Sequence, residues 1–402
     1  MQTRQPHLTK MLGPAFVAAI AYVDPGNVAA NLTAGATHGY LLVWVLLVAN
    51  TMAVLVQYLS AKLGLVTRKS LPELLGERMR RPARLAFLFQ AELVAIATDL
   101  AEVVGGAIAL NILFGIQLLP GAVIVGAVSM ALLAVQSRGG QRTFEFVVIG
   151  LLVIITVGFV AGLFVADVSW PDAVAGAVPR FTDNQSVLLA ASMLGATVMP
   201  HAIYVHSQLA HEHQVDLAGD LRPMVRATRW DVVGSMLVAG TVNIAMLLLA
   251  AATLQGVGDA DSIEGAYQAI ASALGPVVAT LFAVGLLASG LASTSVGSYA
   301  GVAIISGLLS KRVPILAMRA ITLVPALAIL SIGVDPTWAL VVSQVFLSVG
   351  IPFALIPLVR LSNDRRLMGA FRNGALLRVV AWGVVALIVA LNLVLIWLTL
   401  FP

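Results

Sequence analysis

Apolar residues run along this chain in long blocks that are separated by short polar segments. Each block is long enough to cross a bilayer as an α-helix, which takes roughly 20 residues. We predict eleven transmembrane helices from these blocks, at 11–36, 41–65, 84–113, 118–136, 144–168, 186–210, 229–254, 276–306, 314–333, 336–360 and 376–400. A shorter segment, Glu264–Leu274, is predicted to form a surface helix before the eighth span. The pattern therefore predicts an all-α polytopic membrane protein.

The composition agrees with a protein whose mass lies almost entirely in the membrane. Hydrophobic residues make up 60% of the chain and charged residues only 10%, whereas a soluble domain carries roughly 25% charged residues. There is no cysteine, which excludes disulfides, thiolate metal sites and a cysteine nucleophile. The first apolar block is longer than the core of a signal peptide and has no convincing cleavage site, so we treat it as the first span.

The basic residues indicate how the chain is oriented in the membrane. Lysine and arginine collect in the cytoplasmic loops of membrane proteins. With the N-terminus inside, all 23 basic residues except Arg180 and Arg319 fall on the inner side. We therefore expect a multi-pass protein with a cytoplasmic N-terminus and an outer C-terminus, and the absence of long tails favours a bacterial inner membrane. The net charge of +4 follows from this orientation and does not indicate nucleic-acid binding.

A carboxylate lies near the middle of the first span, where lipid does not solvate charge. It belongs to the sequence Asp24-Pro25-Gly26-Asn27. Pro25 has no N–H, so the carbonyl of Ala21 loses its helical partner, and the residue before a proline is pushed out of the helical conformation. We predict a broken helix that offers a carboxylate, an amide and a free carbonyl at membrane depth. The alternative is a proline kink with a buried, hydrogen-bonded aspartate.

The sixth span repeats this irregularity in the sequence Met199-Pro200-His201. Pro200 frees the carbonyl of Ala196 and distorts Met199 by the same steric argument. Since five spans separate the starts of the two broken helices, these helices run in opposite directions. Paired breaks in two five-span halves predict an inverted repeat with a binding site near the midplane. We expect one transmembrane transport domain over 1–402, with repeats at about 11–168 and 186–360 and an extra helix at about 376–400.

The two breaks together offer donors that suit a divalent transition metal. These donors are the Asp24 carboxylate, the Asn27 amide oxygen, the Met199 thioether and the carbonyls of Ala21 and Ala196. Mg²⁺ and Ca²⁺ prefer oxygen ligands alone, whereas a thioether favours softer metals. The set lacks the thiolates or grouped histidines that hold zinc permanently. We therefore predict a metal that is transported, and no permanent cofactor.

Gln344 in the tenth span is a further polar side chain at a plausible depth for this site. It is either an additional metal ligand or a partner in an interhelical hydrogen bond. The nearby sequence Gly350-Ile351-Pro352 predicts that this helix is flexible as well.

The third span carries three acids, Glu92, Asp99 and Glu102. Their spacing places them in one stripe of a helix face, and acids in a span indicate an aqueous or protonatable path. A static salt-bridge network is the alternative. Arg319 in the ninth span lies at a depth similar to Glu92 when both are counted from the inner side, so we predict a Glu92–Arg319 ion pair. His201 is the only histidine placed near the midplane, and we predict that it relays protons.

The two proline motifs resemble those of a known transporter family. Asp24-Pro25-Gly26-Asn27 and Met199-Pro200-His201 are similar to the signature motifs of the natural resistance-associated macrophage protein (Nramp) transporters, whose bacterial members are often called MntH. The runs Thr98-Asp99-Leu100-Ala101-Glu102 and Ser293–Gly301 resemble the third and eighth helices of that family. The resemblance covers the whole chain, and two motifs in matching halves make it specific.

The resemblance implies a LeuT-type fold, with five plus five inverted helices and an extra helix, and symport of Mn²⁺ or Fe²⁺ with protons into the cytoplasm. It assigns metal contact to Asp24, Asn27, Met199 and the carbonyls of Ala21 and Ala196, and it links Gln344 to one conformational state of the site. It associates Asp99, Glu102, His201, Glu92 and Arg319 with proton movement. The expected partners are metal ions, protons and the lipid bilayer, and a monomer is expected to function.

Three other functions fit parts of the pattern. A sodium-coupled organic solute symporter of the same fold would present backbone amides to an anionic substrate, which a fixed Asp24 disfavours. An intramembrane metalloenzyme would need a zinc ligand set or a nucleophile–base pair, and the sequence supports neither. A non-transporting metal sensor would carry an appended signalling domain. We therefore expect a transporter and not an enzyme.

Overall fold

The computed structural model describes residues 13–139, 141–215, 221–258, 262–310, 314–333 and 336–400, and it contains no strand in these segments. The helices are α1 (Pro14–Ile20), α2 (Pro25–His38), α3 (Val43–Thr67), α4 (Leu71–Arg78), α5 (Arg81–Phe114), α6 (Leu118–Gly139), α7 (Gln141–Val160), α8 (Trp170–Ala175), α9 (Asn184–Thr197), α10 (Pro200–Val215), α11 (Leu221–Thr253), α12 (Ile263–Leu274), α13 (Pro276–Leu309), α14 (Ile315–Ser331), α15 (Pro336–Ser362), α16 (Arg365–Met368) and α17 (Ala375–Leu400).

Every predicted span contains an apolar helix. Seven helical stretches in the described segments are long and apolar enough to cross a membrane, or eight if the bent pair around Asn363 and Asp364 counts as one span. Three shorter apolar helices, Pro14–Val23, Leu118–Ala134 and Leu316–Ser331, lie in the first, fourth and ninth predicted spans. The surface helix predicted before the eighth span is present as α12.

The first span is broken where its proline predicts. Helix α1 ends at Ile20, a 3₁₀ turn covers Ala21–Val23, and α2 begins at Pro25. Asp24 between them is extended, with φ −71° and ψ 166°. This is the conformation that a following proline imposes, and Pro25 then occupies the first helical position, where its missing N–H costs no hydrogen bond.

The sixth span is broken in the same way. Helix α9 ends at Thr197, and Val198 leaves the helical region with φ −96° and ψ 86°. Helix α10 begins at Pro200. The two breaks meet inside the bundle, because the Asn27 side-chain amide at the start of α2 donates to the carbonyl of Ala196 near the end of α9 over 3.1 Å.

Neighbouring helices satisfy the backbone that the first break exposes. The carbonyl of Tyr22 accepts from Asn243 Nδ2 of α11 at 2.7 Å, and the carbonyl of Val23 accepts from Ser289 Oγ of α13 at 2.5 Å. Asn31 of α2 holds the Asn243 side chain in place through a 2.9 Å bond. Unwound backbone survives at membrane depth only with such partners, so α11 and α13 are what makes the broken helix possible.

Helix α13 supports the centre of the bundle because its small residues allow close approach. It packs most extensively against α5, and Gly290 lies directly on the α5 backbone at Glu102 and Gly106. The hydroxyls of Ser293 and Ser298 donate to carbonyls of their own helix. Ser289 and Tyr299 are the exceptions, since the Ser289 hydroxyl donates to the first break and the Tyr299 hydroxyl donates to Glu212 of α10 at 2.6 Å.

At one end of the bundle, His38 near the end of α2 meets Asp183, the N-cap of α9. The two side chains approach to 3.2 Å. The backbone N–H of Ser186, together with His38, holds the pKa of the Asp183 carboxyl below its usual range, so the N-cap is a carboxylate at neutral pH. This contact joins α2 to α9, which are the halves of the first and sixth spans on this side of the two breaks.

Helix α17 lies outside the helices that surround the breaks. It packs chiefly on α15 and α9, with a smaller contact to α3. Asn392 of α17 donates to the Ser348 carbonyl of α15 at 2.6 Å, which anchors its far half. The position agrees with the extra helix that was predicted after the two repeats.

Gly64 of α3 lies against the backbone of Ser207 on α10, so an added methyl group there would overlap the Ser207 carbonyl. We expect Gly64→Ala to force these helices apart and to lower the free energy of unfolding by roughly 1–3 kcal/mol, the usual cost of overpacking. Gly150→Ala on α7 is the matched control, because nothing lies within 4 Å of its added methyl. Thermal unfolding in detergent compares the two variants, and equal midpoints would contradict the close packing of α3 on α10.

Candidate metal site

Asp24 has one bonded and one free carboxylate oxygen. As the N-cap of α2, its Oδ1 accepts from the Asn27 backbone N–H at 2.8 Å and from the Asn27 side-chain amide at 2.6 Å. Its Oδ2 has no hydrogen-bond partner although the residue is only 1% exposed. A buried carboxylate oxygen without a donor is costly, so this oxygen is a natural place for a cation.

Asn27 joins the two broken helices. Its amide donates to Asp24 and to the Ala196 carbonyl, and its Oδ1 lies 3.5 Å from the Thr197 hydroxyl. Met199 follows in the same break and is fully buried. Four of the five predicted donors, those of Asp24, Asn27, Ala196 and Met199, are thus supplied by the two meeting breaks. Ala21, the fifth, lies in the 3₁₀ turn just before Asp24.

Gln344 of α15 reaches this site. A methyl group on Gly26 would overlap the Gln344 amide and would lie 3.2 Å from Asp24 Oδ2. Both polar atoms of the Gln344 side chain lack a hydrogen-bond partner, although the residue is only 6% exposed. The interhelical hydrogen bond that the sequence left open is therefore not formed, and an unsatisfied amide stands beside an unsatisfied carboxylate oxygen.

The predicted donors have almost no contact with solvent. Asp24, Asn27, Met199, Gln344 and the two alanines Ala21 and Ala196 are all buried. The structure therefore presents the site in a sealed arrangement.

The third-span acids differ from the sequence prediction in one respect. Arg319 of α14 forms its ion pair with Asp99, and its Nε donates to Ser129 Oγ of α6 at 2.8 Å. The predicted Glu92–Arg319 pair is wrong. Depth was counted from the inner side, but α5 has 34 residues and is about 50 Å long at 1.5 Å per residue. It exceeds the bilayer, so position along its sequence does not translate directly into depth.

Glu102 lies between the candidate metal site and the Asp99–Arg319 pair. It is fully buried against α13, where a methyl group on Gly297 would lie 3.2 Å from its Oε2. Asp99, Asp24 and Arg319 are all close enough to interact with it electrostatically. Three carboxylates and one guanidinium therefore share this part of the bundle.

His201 and Glu92 are the remaining two residues of the predicted proton path. His201 of α10 is buried, neither ring nitrogen has a hydrogen-bond partner, and the ring lines a small cavity with Gln90 and Val94 of α5. Glu92 of α5 has a buried Oε1 without a partner. The structure thus brings His201 to α5 but forms no bond between it and an acid there.

Several polar side chains that bond to the first break escaped the sequence analysis. Gln57 of α3 connects His206 to the broken first span, because it contacts His206 Nδ1 at 2.8 Å and donates to the Tyr22 hydroxyl at 2.7 Å. Asn243 and Ser289 hold the broken backbone. Gln57 and Asn243 are polar residues inside apolar blocks, which is the signal that would have found them.

The chain is similar to known proteins over nearly all of its length. Residues 15–398 match the family model described as natural resistance-associated macrophage protein-like. A protein named divalent metal cation transporter MntH from Mycobacterium tuberculosis (strain ATCC 25618 / H37Rv) is 58% identical over 393 residues, which are 97% of this chain and 91% of that protein.

Solved structures show the same architecture. The Eremococcus coleocola manganese transporter, in complex with an aromatic bis-isothiourea substituted compound, superposes with a TM-score of 0.88 at 30% identity, over 98% of this chain and 88% of that chain. Mhp1, a nucleobase-cation-symport-1 family transporter, superposes with a TM-score of 0.61 at 19% identity, over 96% and 89% of the two chains. The second likeness concerns the fold alone. Together they confirm the predicted all-α, LeuT-type fold.

The Asp99–Arg319 pair makes a testable difference to stability. Arg319→Gln leaves a buried carboxylate without its cation, and removing one partner of a buried pair costs roughly 3–5 kcal/mol. We expect this variant to unfold at a markedly lower temperature in detergent. Adding Asp99→Asn in the same chain should recover much of the loss, because no charge then remains unpaired.

The matched control is Glu92→Gln combined with Arg319→Gln, which removes the acid that the sequence had paired with Arg319. It should leave the loss of stability unchanged. Recovery by Glu92→Gln, and not by Asp99→Asn, would contradict the pairing seen in the structure.

Proposed function

The chain belongs to the natural resistance-associated macrophage protein (Nramp) family, and from this premise we propose that it imports Mn²⁺ and Fe²⁺ across the membrane in symport with protons. It is a multi-span transporter of divalent metal cations and not an enzyme. The finer proposal rests on one observation: the Asp24 oxygen and the Gln344 amide stand unsatisfied side by side where the two broken helices meet.

The donor set favours a transition metal. It provides one negative charge from Asp24, neutral oxygens from Asn27 and the two alanine carbonyls, and the soft thioether of Met199. Hard cations gain nothing from sulfur, whereas softer divalent metals do. A set with one charge binds with moderate affinity, which a transporter needs because the ion must leave again. The manganese transporter among the solved structures has the same fold.

Transport follows by alternating access. Asn27 and the Ala196 carbonyl are hydrogen-bonded to each other in the sealed arrangement, so a metal that takes the carbonyl as ligand replaces this bond. Asp24 binds metal as the carboxylate, so metal and proton compete for it. The breaks at Asp24 and Val198 serve as hinges, because helix ends absorb large changes of backbone angle.

The charges around the site support coupling to protons. Asp99 forms an ion pair with Arg319, whereas Asp24 and Glu102 form no ion pair with any residue in the described part of the bundle. A metal that binds Asp24 displaces its proton, and release of this proton to the cytoplasm along α5 makes metal and proton move in the same direction. We assign Glu102 and Asp99 to the proton path next to the metal site, with His201 and Glu92 on its continuation along α5.

The chain works in the bacterial plasma membrane as a monomer, with its N-terminus in the cytoplasm and its C-terminus outside. Its two repeats are assigned to about residues 11–168 and 186–360, with the extra helix at about 376–400. The basic residues of the inner loops support this orientation. An inside-negative potential then favours cation entry by roughly 2.3 kcal/mol per charge and 100 mV.

Uptake of Mn²⁺ into proteoliposomes that contain a pH dye, at an imposed inside-negative potential, tests the proposal. We expect metal entry with internal acidification, and Asp24→Ala should abolish both because the metal loses its one charged ligand. Asp172→Ala, which removes an exposed acid of α8, is the matched control and should transport normally. Entry without acidification would contradict proton symport, and no entry in a folded protein would point to an organic solute as substrate.

The Met199 thioether is expected to set the preference for transition metals. Met199→Ala should retain part of the Mn²⁺ transport and should admit Ca²⁺ or Mg²⁺, because the remaining donors are all oxygen. Met246→Ala on α11 removes an equally buried thioether that lies outside the site, so it controls for lost packing. Competition of Ca²⁺ against Mn²⁺ uptake measures the effect. Unchanged discrimination against Ca²⁺ in Met199→Ala would refute the role of the thioether.

A further inference from the structure

A groove lies between α17 and the helices α3 and α11, away from the metal site. Its volume is about 500 Å³. Most of its lining is aliphatic: Met52, Val54 and Leu55 from α3, Val233 from α11, and Leu377, Val380 and Val384 from α17. The groove exists because α17 packs on α15 and α9 and only lightly on α3. It follows α3 from Thr51 to Tyr58, about 10 Å at 1.5 Å per residue.

One end of the groove is polar and positively charged. Tyr58 of α3 and Arg229 of α11 line it there, and they are close enough to interact electrostatically. Arg229 is exposed, and its guanidinium forms no ion pair or hydrogen bond with any described residue. Tyr58 lies in the second half of α3, Arg229 in the first part of α11 and Leu377 near the start of α17. The polar end of the groove therefore lies at one end of the bundle.

A second cation stands one helical turn beyond Tyr58. Lys62 is buried, its amine contacts the Asn373 side-chain oxygen, and it lies 5.1 Å from the centre of the Tyr58 ring. Asn373 precedes α17 and is itself held by Asn363 at 2.8 Å. The amine therefore fixes the entry to α17, and within the described segments no carboxylate pairs with it.

The level of this polar end in the membrane is marked by a tryptophan. Trp230 follows Arg229 and is 67% exposed, and tryptophan is enriched where the membrane meets water. Arg229 thus lies at headgroup level, and the aliphatic part of the groove extends from it towards the membrane interior. An apolar channel with cations at its interfacial end has the shape and the charge of an anionic lipid.

We propose that this groove binds an anionic membrane phospholipid, with one acyl chain along Val380 and Val384 and the phosphate beside Arg229 and Tyr58. Basic pockets between transmembrane helices bind anionic headgroups in this manner. Net charge decides between the lipids, because an anionic headgroup balances the charge of Arg229, whereas a zwitterionic headgroup carries a cation that cancels the charge of its own phosphate.

Lipid binding to the full chain in detergent micelles, measured by native mass spectrometry, tests the proposal. The probes are phosphatidylglycerol and phosphatidylcholine with identical acyl chains. We expect preferential retention of phosphatidylglycerol. Arg229→Gln should weaken it by about five-fold, the effect of one basic side chain near an anionic surface. Arg365→Gln removes an exposed arginine of α16 and is the matched control, which should bind as the unaltered chain does.

A second pair of variants tests the groove itself. Val380→Trp fills it and should weaken binding of both lipids, whereas Val157→Trp on α7, at a similarly exposed position, should not. Glycerol phosphate, a headgroup without chains, should not displace the bound lipid. Elution profile and thermal unfolding confirm that each variant is folded. Equal binding of the two lipids by the unaltered chain, or equal binding by Arg229→Gln and Arg365→Gln, would overturn the proposal.

Discussion

The structure depends on how the polar backbone at the two breaks is satisfied inside a membrane. A helix carries its own hydrogen bonds, but a break exposes carbonyls that lipid does not solvate. Asn243 and Ser289 supply donors to the carbonyls of Tyr22 and Val23, and Asn27 supplies one to Ala196. Because these donors come from α11, α13 and α2, the hydrogen bonds that satisfy the breaks also connect these helices to one another.

The features that follow from local stereochemistry could be predicted from the sequence. Pro25 and Pro200 determine where two helices end and two begin, irrespective of what surrounds them. Hydrophobic block length is equally local, so all eleven predicted spans contain helices. The Asp24 and Met199 positions followed from these breaks, and the structure places them where the two breaks meet.

The features that depend on packing could not be predicted in this way. The partner of Arg319 is determined by how α14 and α6 pack against α5. Counting residues from the inner side predicted Glu92, whereas the structure pairs Arg319 with Asp99. Gln344 of α15 contacts α2 at Gly26 because glycine has no side chain there. Nothing in the sequence around Gln344 indicates that this space exists. Gln57 and Asn243 are recognisable in the sequence as polar residues inside apolar blocks. Nothing in the neighbouring sequence indicates which carbonyl or hydroxyl they bond to.

The corrected pairing changes the electrostatic argument for coupling. Had Arg319 paired with Glu92, then Asp24, Asp99 and Glu102 would form a cluster of three acids without a cation, which a single divalent ion does not balance. With Asp99 neutralised by Arg319, two acids remain, and their charge equals that of one metal ion. A low-dielectric interior penalises net charge of either sign. The Asp99–Arg319 pair therefore leaves a charge at the centre of the bundle that one divalent cation would balance.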